Sequence, residues 1–220
     1  MRTARRTTIR GLVACVALAA AGSAAAQAPA PDETCVAYDG AYARAPLMKV
    51  AGAPGSRTYL QSLAKPCAAQ GACSWRQKAY LTPGDPVLAS APRAGFRCVY
   101  FIGARGKISA GFVADAALQP FAEQRGVDGR FLAGVWREQF GGVITITARG
   151  PALYAKGETR YRDNIGTFAG RVKPTADGFT VTSEACEIVA QRRGPWLALS
   201  DNNLCGGFNV RFVGIYARQP

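Results

Sequence analysis

Histidine is absent from this chain of 220 residues, and that zero removes more chemistry than any motif adds. A serine or cysteine nucleophile has no imidazole to activate it, zinc loses its nitrogen ligand, and no imidazole changes charge near neutral pH. Arginines, carboxylates, amides and hydroxyls remain. The densest polar run is Leu199-Ser200-Asp201-Asn202-Asn203-Leu204-Cys205-Gly206-Gly207. Asp201 with the amides of Asn202 and Asn203 is a candidate grip on a polar ligand. A tight turn selects the same residues, because Asn and Asp bond their own backbone and tolerate positive φ. One carboxylate is too little charge for calcium, so no metal is expected there. Arg160-Tyr161-Arg162, grouped with Arg171 and Lys173, is the second candidate. Its cations suit a phosphate, a uronic sugar or an acidic protein face, although a solvated hairpin also carries such residues. Glu138, Glu158, Glu184 and Glu187 are available to a glycosidase, which needs two facing carboxylates and no histidine. No paired acidic motif stands out, so the chain reads as a non-enzyme without cofactor.

The seven cysteines bear on compartment. Residues 1–10 hold Arg2, Arg5, Arg6 and Arg10 and no acid; an apolar run from Gly11 to Ala21 and then Ala24-Ala25-Ala26 follow. This is the order of an export signal, with cleavage expected after Ala26, and the apolar run is too short to anchor in a bilayer. Arg5-Arg6 could serve a twin-arginine route, but cysteine-rich cargo favours export before folding. Leu12-Val13-Ala14-Cys15 is similar to a lipobox that arrives too early, ahead of most of the apolar run. Cleavage leaves Cys35, Cys67, Cys73, Cys98, Cys186 and Cys205, an even set in an exported chain, and hence disulfides. Periplasmic or secreted localisation follows, with no transmembrane anchor after cleavage. The formal charge of +13 falls by the four arginines lost with residues 1–26 but stays strongly positive, which points to acidic partners rather than nucleic acid, and the cations are spread along the chain.

The elements that position these residues are short. With 25 glycines and 13 prolines punctuating runs of Val, Ile, Tyr, Phe and Thr, strands dominate. Residues 27–34 read as a tail, 35–122 as one domain, 123–130 as a polar linker and 131–220 as a second domain, each half folding separately. The cysteines divide four and two across the linker. Cys186 and Cys205 must then pair, while 35, 67, 73 and 98 allow three connectivities; the short 67–73 loop favours 67–73 and 35–98. Strands are expected at 79–81, 86–89, 96–101 and 108–113. In the second half they are expected at 143–148, 152–156, 166–172, 179–182, 186–191, 196–200 and 209–217, after an opening segment at 131–136.

The ordered set Tyr80, Leu81, Gly84, Asp85, Val87, Phe96, Val99, Gly111, Phe112, Val113 and Leu118 resembles the bacterial SH3-like barrels of exported envelope proteins. The resemblance covers about residues 35–120 and implies an SH3-like barrel that binds cell-wall peptides or acts as a spacer. Phe96 and Phe112 stand where that family often has Trp, which weakens the inference to an aromatic peptide groove. Gly134-Val135-Trp136 resembles the opening of calycin barrels, and a late Arg218 is expected to stack on Trp136. The expected fold is therefore all-β: an SH3-like barrel followed by a small antiparallel meander β-barrel, stabilised by disulfides. The expected partner is peptidoglycan or another acidic envelope component. The alternatives are a secreted enzyme blocked through a barrel-end loop, and a carbohydrate cleaved by the glutamates.

Overall fold

The computed structural model describes residues 35, 44–67, 73–103, 106–122 and 126–220. The export segment, the tail, the loop between Cys67 and Cys73, and Glu123, Gln124 and Arg125 of the linker lie outside them. The chain folds into two antiparallel sheets, and turn chemistry sets their strand breaks. Between two strands of the first sheet, Gly84 has φ +92° and Asp85 Oδ2 accepts from Thr82 N (2.7 Å) and Thr82 Oγ1 (3.0 Å).

The first sheet contains β1 (Leu47–Val50), β2 (Thr58–Gln61), β3 (Arg76–Leu81), β4 (Pro86–Ala89), β5 (Phe96–Ile102), β6 (Ile108–Ala114) and β7 (Leu118–Pro120). Their order is β3-β2-β6-β5-β4-β1-β7. Leu60, Leu81, Val87, Val99 and Val113 are fully buried in its core. The second sheet contains β8 (Gly134–Arg137), β9 (Val143–Arg149), β10 (Ala152–Tyr161), β11 (Asn164–Arg171), β12 (Lys173–Pro174), β13 (Gly178–Ser183), β14 (Cys186–Arg193), β15 (Trp196–Asp201) and β16 (Gly214–Arg218). They run β11-β10-β9-β8-β16-β15-β14-β13-β12, and the sheet nearly closes into a barrel. At the closure Gly166 bridges Gly206, and a Cβ on Gly170 would stand 2.7 Å from Thr182 O. Alternation is plain on β14, where Cys186, Ile188 and Ala190 point inward while Glu187, Val189 and Gln191 face out. Burying a side chain the size of Ile188 stabilises by roughly 1.5–3 kcal/mol.

Three disulfides join Cys35 to Cys98, Cys67 to Cys73 and Cys186 to Cys205. The first reaches the centre of β5. The third ties the start of β14 to the loop after β15.

Several boundaries differ from the sequence reading for identifiable reasons. β10 continues past its expected end at residue 156, through Gly157 to Tyr161. The missing side chain of Gly157 makes room for the Phe168 ring, since a Cβ there would lie 2.2 Å from Phe168 Cε1. Residues 209–213 are loop rather than strand: Asn209 has φ +61°, and Phe212 N is taken by a carboxylate instead of a sheet partner. β1 and β2, four residues each, lie outside the expected strands. The stretch 126–130 is not a bare connector. Val127 packs on the second core, and Asp128 Oδ1 accepts from Phe131 N (2.7 Å) to cap the helical turn Gly129–Leu132.

The two sheets also share a core. Leu47, Leu88 and Ile102 of the first pack with Trp196, Ile215 and Ala217 on the outer face of β15 and β16. Arg193 Nη2 donates to Ala45 O (2.5 Å), and a Cβ on Gly106 would lie 2.3 Å from Arg137 O. β5 shows why both sheets need it: Val99 and Phe101 face the first core, while Tyr100 and Ile102 face the second sheet. The halves are thus packed against each other and not held by the linker alone.

Candidate functional site

Asp201, Asn202 and Asn203 lie together in the loop that leaves β15, and their groups are turned on the loop itself. The Asp201 side chain is fully buried. Its Oδ1 accepts from Asn203 N (2.9 Å) and Arg211 Nε (2.8 Å), and its Oδ2 from Phe212 N. Asn202 Oδ1 accepts from Glu187 N and Leu204 N, while its Nδ2 donates to Ala185 O (2.8 Å). Asn203 occupies the left-handed region with φ +65°, which Asn tolerates better than most residues. The Asn202 side chain staples the loop to the start of β14 and the turn before it, beside the Cys186–Cys205 bridge, while Asp201 ties it to the segment that leads into β16.

Arg160, Tyr161 and Arg162 form the tip of the β10–β11 hairpin, and all three are exposed. Arg160 Nε pairs with Glu158 Oε1 at 3.3 Å, and the Arg162 guanidinium sits 5.5 Å from the Tyr161 ring centre. Arg171 does not join them. It pairs with Tyr154, six residues from Arg160 along β10, which at a strand's rise is about 20 Å. Lys173 lies beyond it on β12. A cluster close in sequence is drawn out by extended backbone into two separate ends of one strand pair.

The glutamates are likewise dispersed. Glu158 is exposed, Glu184 occupies the β13–β14 turn with φ +54°, and Glu187 faces out from β14. Glu138 is buried after β8, where its Oε2 accepts from Phe140 N (2.7 Å) and its Oε1 from Gly142 N (2.6 Å). Burial pushes its carboxyl above the usual range, and the two backbone donors oppose that rise. Among the described residues no group of three acids or cysteines could hold a metal ion.

Arg218 is paired with Trp136 across β16 and β8, but its guanidinium lies over Gly134, where a Cβ would be 2.9 Å from its Nε. The arginine that caps an aromatic face here is Arg192, 4.0 Å from the Phe131 ring centre. Phe131 in turn packs on Trp136 with centroids 5.3 Å apart, and Trp136 Nε1 donates to Leu132 O.

The first sheet carries a constellation that sequence reasoning missed. On the outer face of β2 and β3, Tyr59 and Tyr80 are cross-strand partners with ring centroids 5.8 Å apart. Arg57 lies over Tyr80 at 4.4 Å, and Arg76 over Tyr59 at 4.9 Å. The result is a ladder of arginine, tyrosine, tyrosine and arginine, with exposed Lys78 between Arg76 and Tyr80 on β3. The hydrogen bond with Tyr59, reinforced by the neighbouring tyrosine oxygens, holds the Arg57 proton even more firmly than usual. Between residues 44 and 122 the acids are Asp85 and Asp115. Asp85 caps its turn, and Asp115 is bonded to Arg97 Nε. Among the described residues no carboxylate pairs with Arg57, Arg76 or Lys78. The available signal was period-two spacing: Arg57-x-Tyr59 and Arg76-x-Lys78-x-Tyr80 place cations and rings on one strand face.

A ladder of this kind presents positive charge with rigid donor forks and aromatic surface, with Tyr80 43% exposed. Guanidinium forks and tyrosine faces of this kind can meet an anionic ligand with ring or chain substituents. Comparison with protein-family models, with curated proteins and with solved structures finds no match to this chain.

Proposed function

We propose that this chain is an exported, non-enzymatic binding protein of the cell envelope that recognises peptidoglycan or another acidic envelope component. The observation that supports this most is the uncompensated ladder of Arg57, Tyr80, Tyr59 and Arg76 beside Lys78. Peptidoglycan offers peptide carboxylates to the guanidinium forks and sugar rings to the tyrosines. The basic n-region and apolar run of residues 1–26, the three disulfides and the resemblance of residues 35–120 to SH3-like envelope domains agree with it. Sedimentation with purified cell-wall sacculi tests the reading. Binding should weaken as salt rises from 0.1 to 1 M, because screening shortens from about 10 Å to about 3 Å. The double substitution Arg57→Glu and Arg76→Glu should lower it further, whereas Arg160→Glu with Arg162→Glu should change it little. Absence of sedimentation at low salt would refute this reading.

A second reading rests on the far end of the barrel. Phe140, Tyr161, Ile165, Leu204, Phe208 and Val213 are exposed, and all belong to the loops and strand ends at that one end. Phe208 is 81% exposed on a loop stapled by Cys186–Cys205. Such a rigid aromatic tip suits insertion into the cleft of a secreted enzyme, as an inhibitor or immunity-type protein does. Co-purification of an enzyme with the wild type but not with Phe208→Ser would favour this reading. Turnover of a glycan that is lost on Glu→Gln substitution would instead demand an enzyme.

A further inference from the structure

We propose that the outer edge of β3 takes up an extended, acidic segment of another protein as an added strand, whose alternate carboxylates meet Arg76, Lys78 and Arg57. The proposal rests on the reading of the arginine–tyrosine ladder as an anion-binding surface and names what lies on it. β3 is the end strand of the first sheet and pairs with β2 alone. Gln77 Nε2 donates to Ala110 O of β6 (3.1 Å), and Arg76 N donates to Cys73 O (3.0 Å) in the turn that leads in. Among the described residues β3 makes no other hydrogen bond or ion pair outside β2. An end strand leaves the N–H and C=O groups of alternate residues facing outward, and these are a template for a further extended chain. β3 offers six residues for this, whereas β7 at the opposite edge has three and ends on Pro120, which has no N–H to donate.

Charge selects the occupant. Exposed Arg76, Lys78 and Tyr80 alternate with Gln77, Ala79 and Leu81, so the first three share the outer face. Arg57 joins them by lying over Tyr80, and Arg76 is braced on the Tyr59 ring. Among the described residues none of the three cations has a carboxylate partner. Like charges repel a second copy of the same edge, which keeps β3 from pairing with itself, while the same charges attract an acidic chain. An added strand rises as β3 does, so side chains at every second residue recur at about 6.6 Å on both. Carboxylates at alternate positions of the segment therefore fall in step with Arg76, Lys78 and the Tyr80–Arg57 pair. A glycan has no run of main-chain amides to fill the edge, so the edge adds a preference for peptide that the ladder by itself lacks.

Fluorescence anisotropy of a labelled peptide with blocked ends, Thr-Glu-Val-Glu-Val-Glu-Thr, titrated with the full disulfide-bonded chain at low salt, tests the proposal. The peptide should bind saturably. A peptide of the same composition with its glutamates adjacent should bind about tenfold more weakly, as should the parent peptide to Lys78→Glu, while the charge-matched Arg171→Glu should stay within about twofold. The wild type alone tests main-chain pairing. Methylating the amides of the glutamates removes the donors along one edge of the peptide, and methylating those of the valines and threonines removes them along the other. One of these two peptides should lose binding and the other keep it. An equal response of the two, in either direction, would overturn strand addition. Equal binding of the adjacent-glutamate peptide, or parent binding unchanged by Lys78→Glu, would overturn the charge match, and absence of saturable binding would overturn the whole proposal. Sedimentation with sacculi keeps the two readings apart. Wall binding without peptide binding overturns this proposal and leaves the envelope reading intact; peptide binding without wall binding supports it where the wall reading has failed.

Discussion

Removing the carboxylate of Asp201 should unfold the protein more readily without touching its ligand binding. The side chain has no solvent exposure, and three donors converge on it. Two of the three lie near solvent: Arg211 is 44% exposed, and Asn203 is exposed. Water replaces the carboxylate for those, so each loss costs at most about 1 kcal/mol. Phe212 N is different, because Phe212 is fully buried and its ring meets Phe168 edge-on at 4.9 Å. Leaving that donor without an acceptor costs about 1–3 kcal/mol. Asp201→Ala should therefore destabilise by about 2–4 kcal/mol, and Asp201→Asn, which keeps one acceptor oxygen, by about half as much. For a protein of this size the alanine variant should melt roughly 4–16 °C lower, at 2–4 °C per kcal/mol. Urea unfolding with intact disulfides measures the effect as a shift in midpoint at unchanged slope. Arg211→Ala is the control and should cost under about 1 kcal/mol. An Asp201→Ala variant within about 0.5 kcal/mol of wild type would refute the structural role. So would unchanged stability combined with lost binding to sacculi, which would make Asp201 a ligand contact.

Three further outcomes are expected. Burial raises the Glu138 carboxyl in the folded state, so the folded chain holds that proton more tightly than the unfolded one. Its contribution is full below the ordinary carboxylate value near 4.5 and is lost as pH rises through the raised value, so the wild type minus Glu138→Gln stability difference should fall across that window; a difference flat with pH would contradict the assignment. Gly178→Ala should abolish soluble folded protein or lower its melting temperature by more than any surface substitution, because its Cβ would stand 1.8 Å from Ala190 O, and circular dichroism against temperature checks this. Trp196→Ala removes the largest side chain of the shared apolar cluster, where such truncations cost about 3–5 kcal/mol, and calorimetry should then resolve two transitions in place of one.

Patterns that depend on neighbours in the chain are legible in the amino-acid sequence itself. Thr82-Pro83-Gly84-Asp85 reads as a turn because Gly supplies positive φ and Asp bonds backward, and the structure has that turn with Gly84 at φ +92°. Short runs of Val, Ile, Tyr, Phe and Thr between Gly and Pro turns locate β4, β5, β6 and most strands of the barrel, because branched and aromatic side chains favour extended backbone. The export context and the even cysteine set point to disulfides, and the chain's division places Cys186 with Cys205. Contacts between segments remote in sequence are decided elsewhere. Gly157 belongs to a strand because Phe168, eleven positions on, fills the space its side chain would take. Arg171 leaves Arg160 because the register of β10 and β11 puts it against Tyr154. Arg57, Tyr59, Arg76 and Tyr80 meet because β2 and β3 pair across an irregular register, which no local window contains. The shared core exists because the outer face of β15 and β16, though apolar, finds its cover on the other sheet. The unbroken run Trp196-Leu197-Ala198-Leu199 shows that both faces of its strand are apolar; which one faces inward and what covers the other is a property of packing between distant parts of the chain.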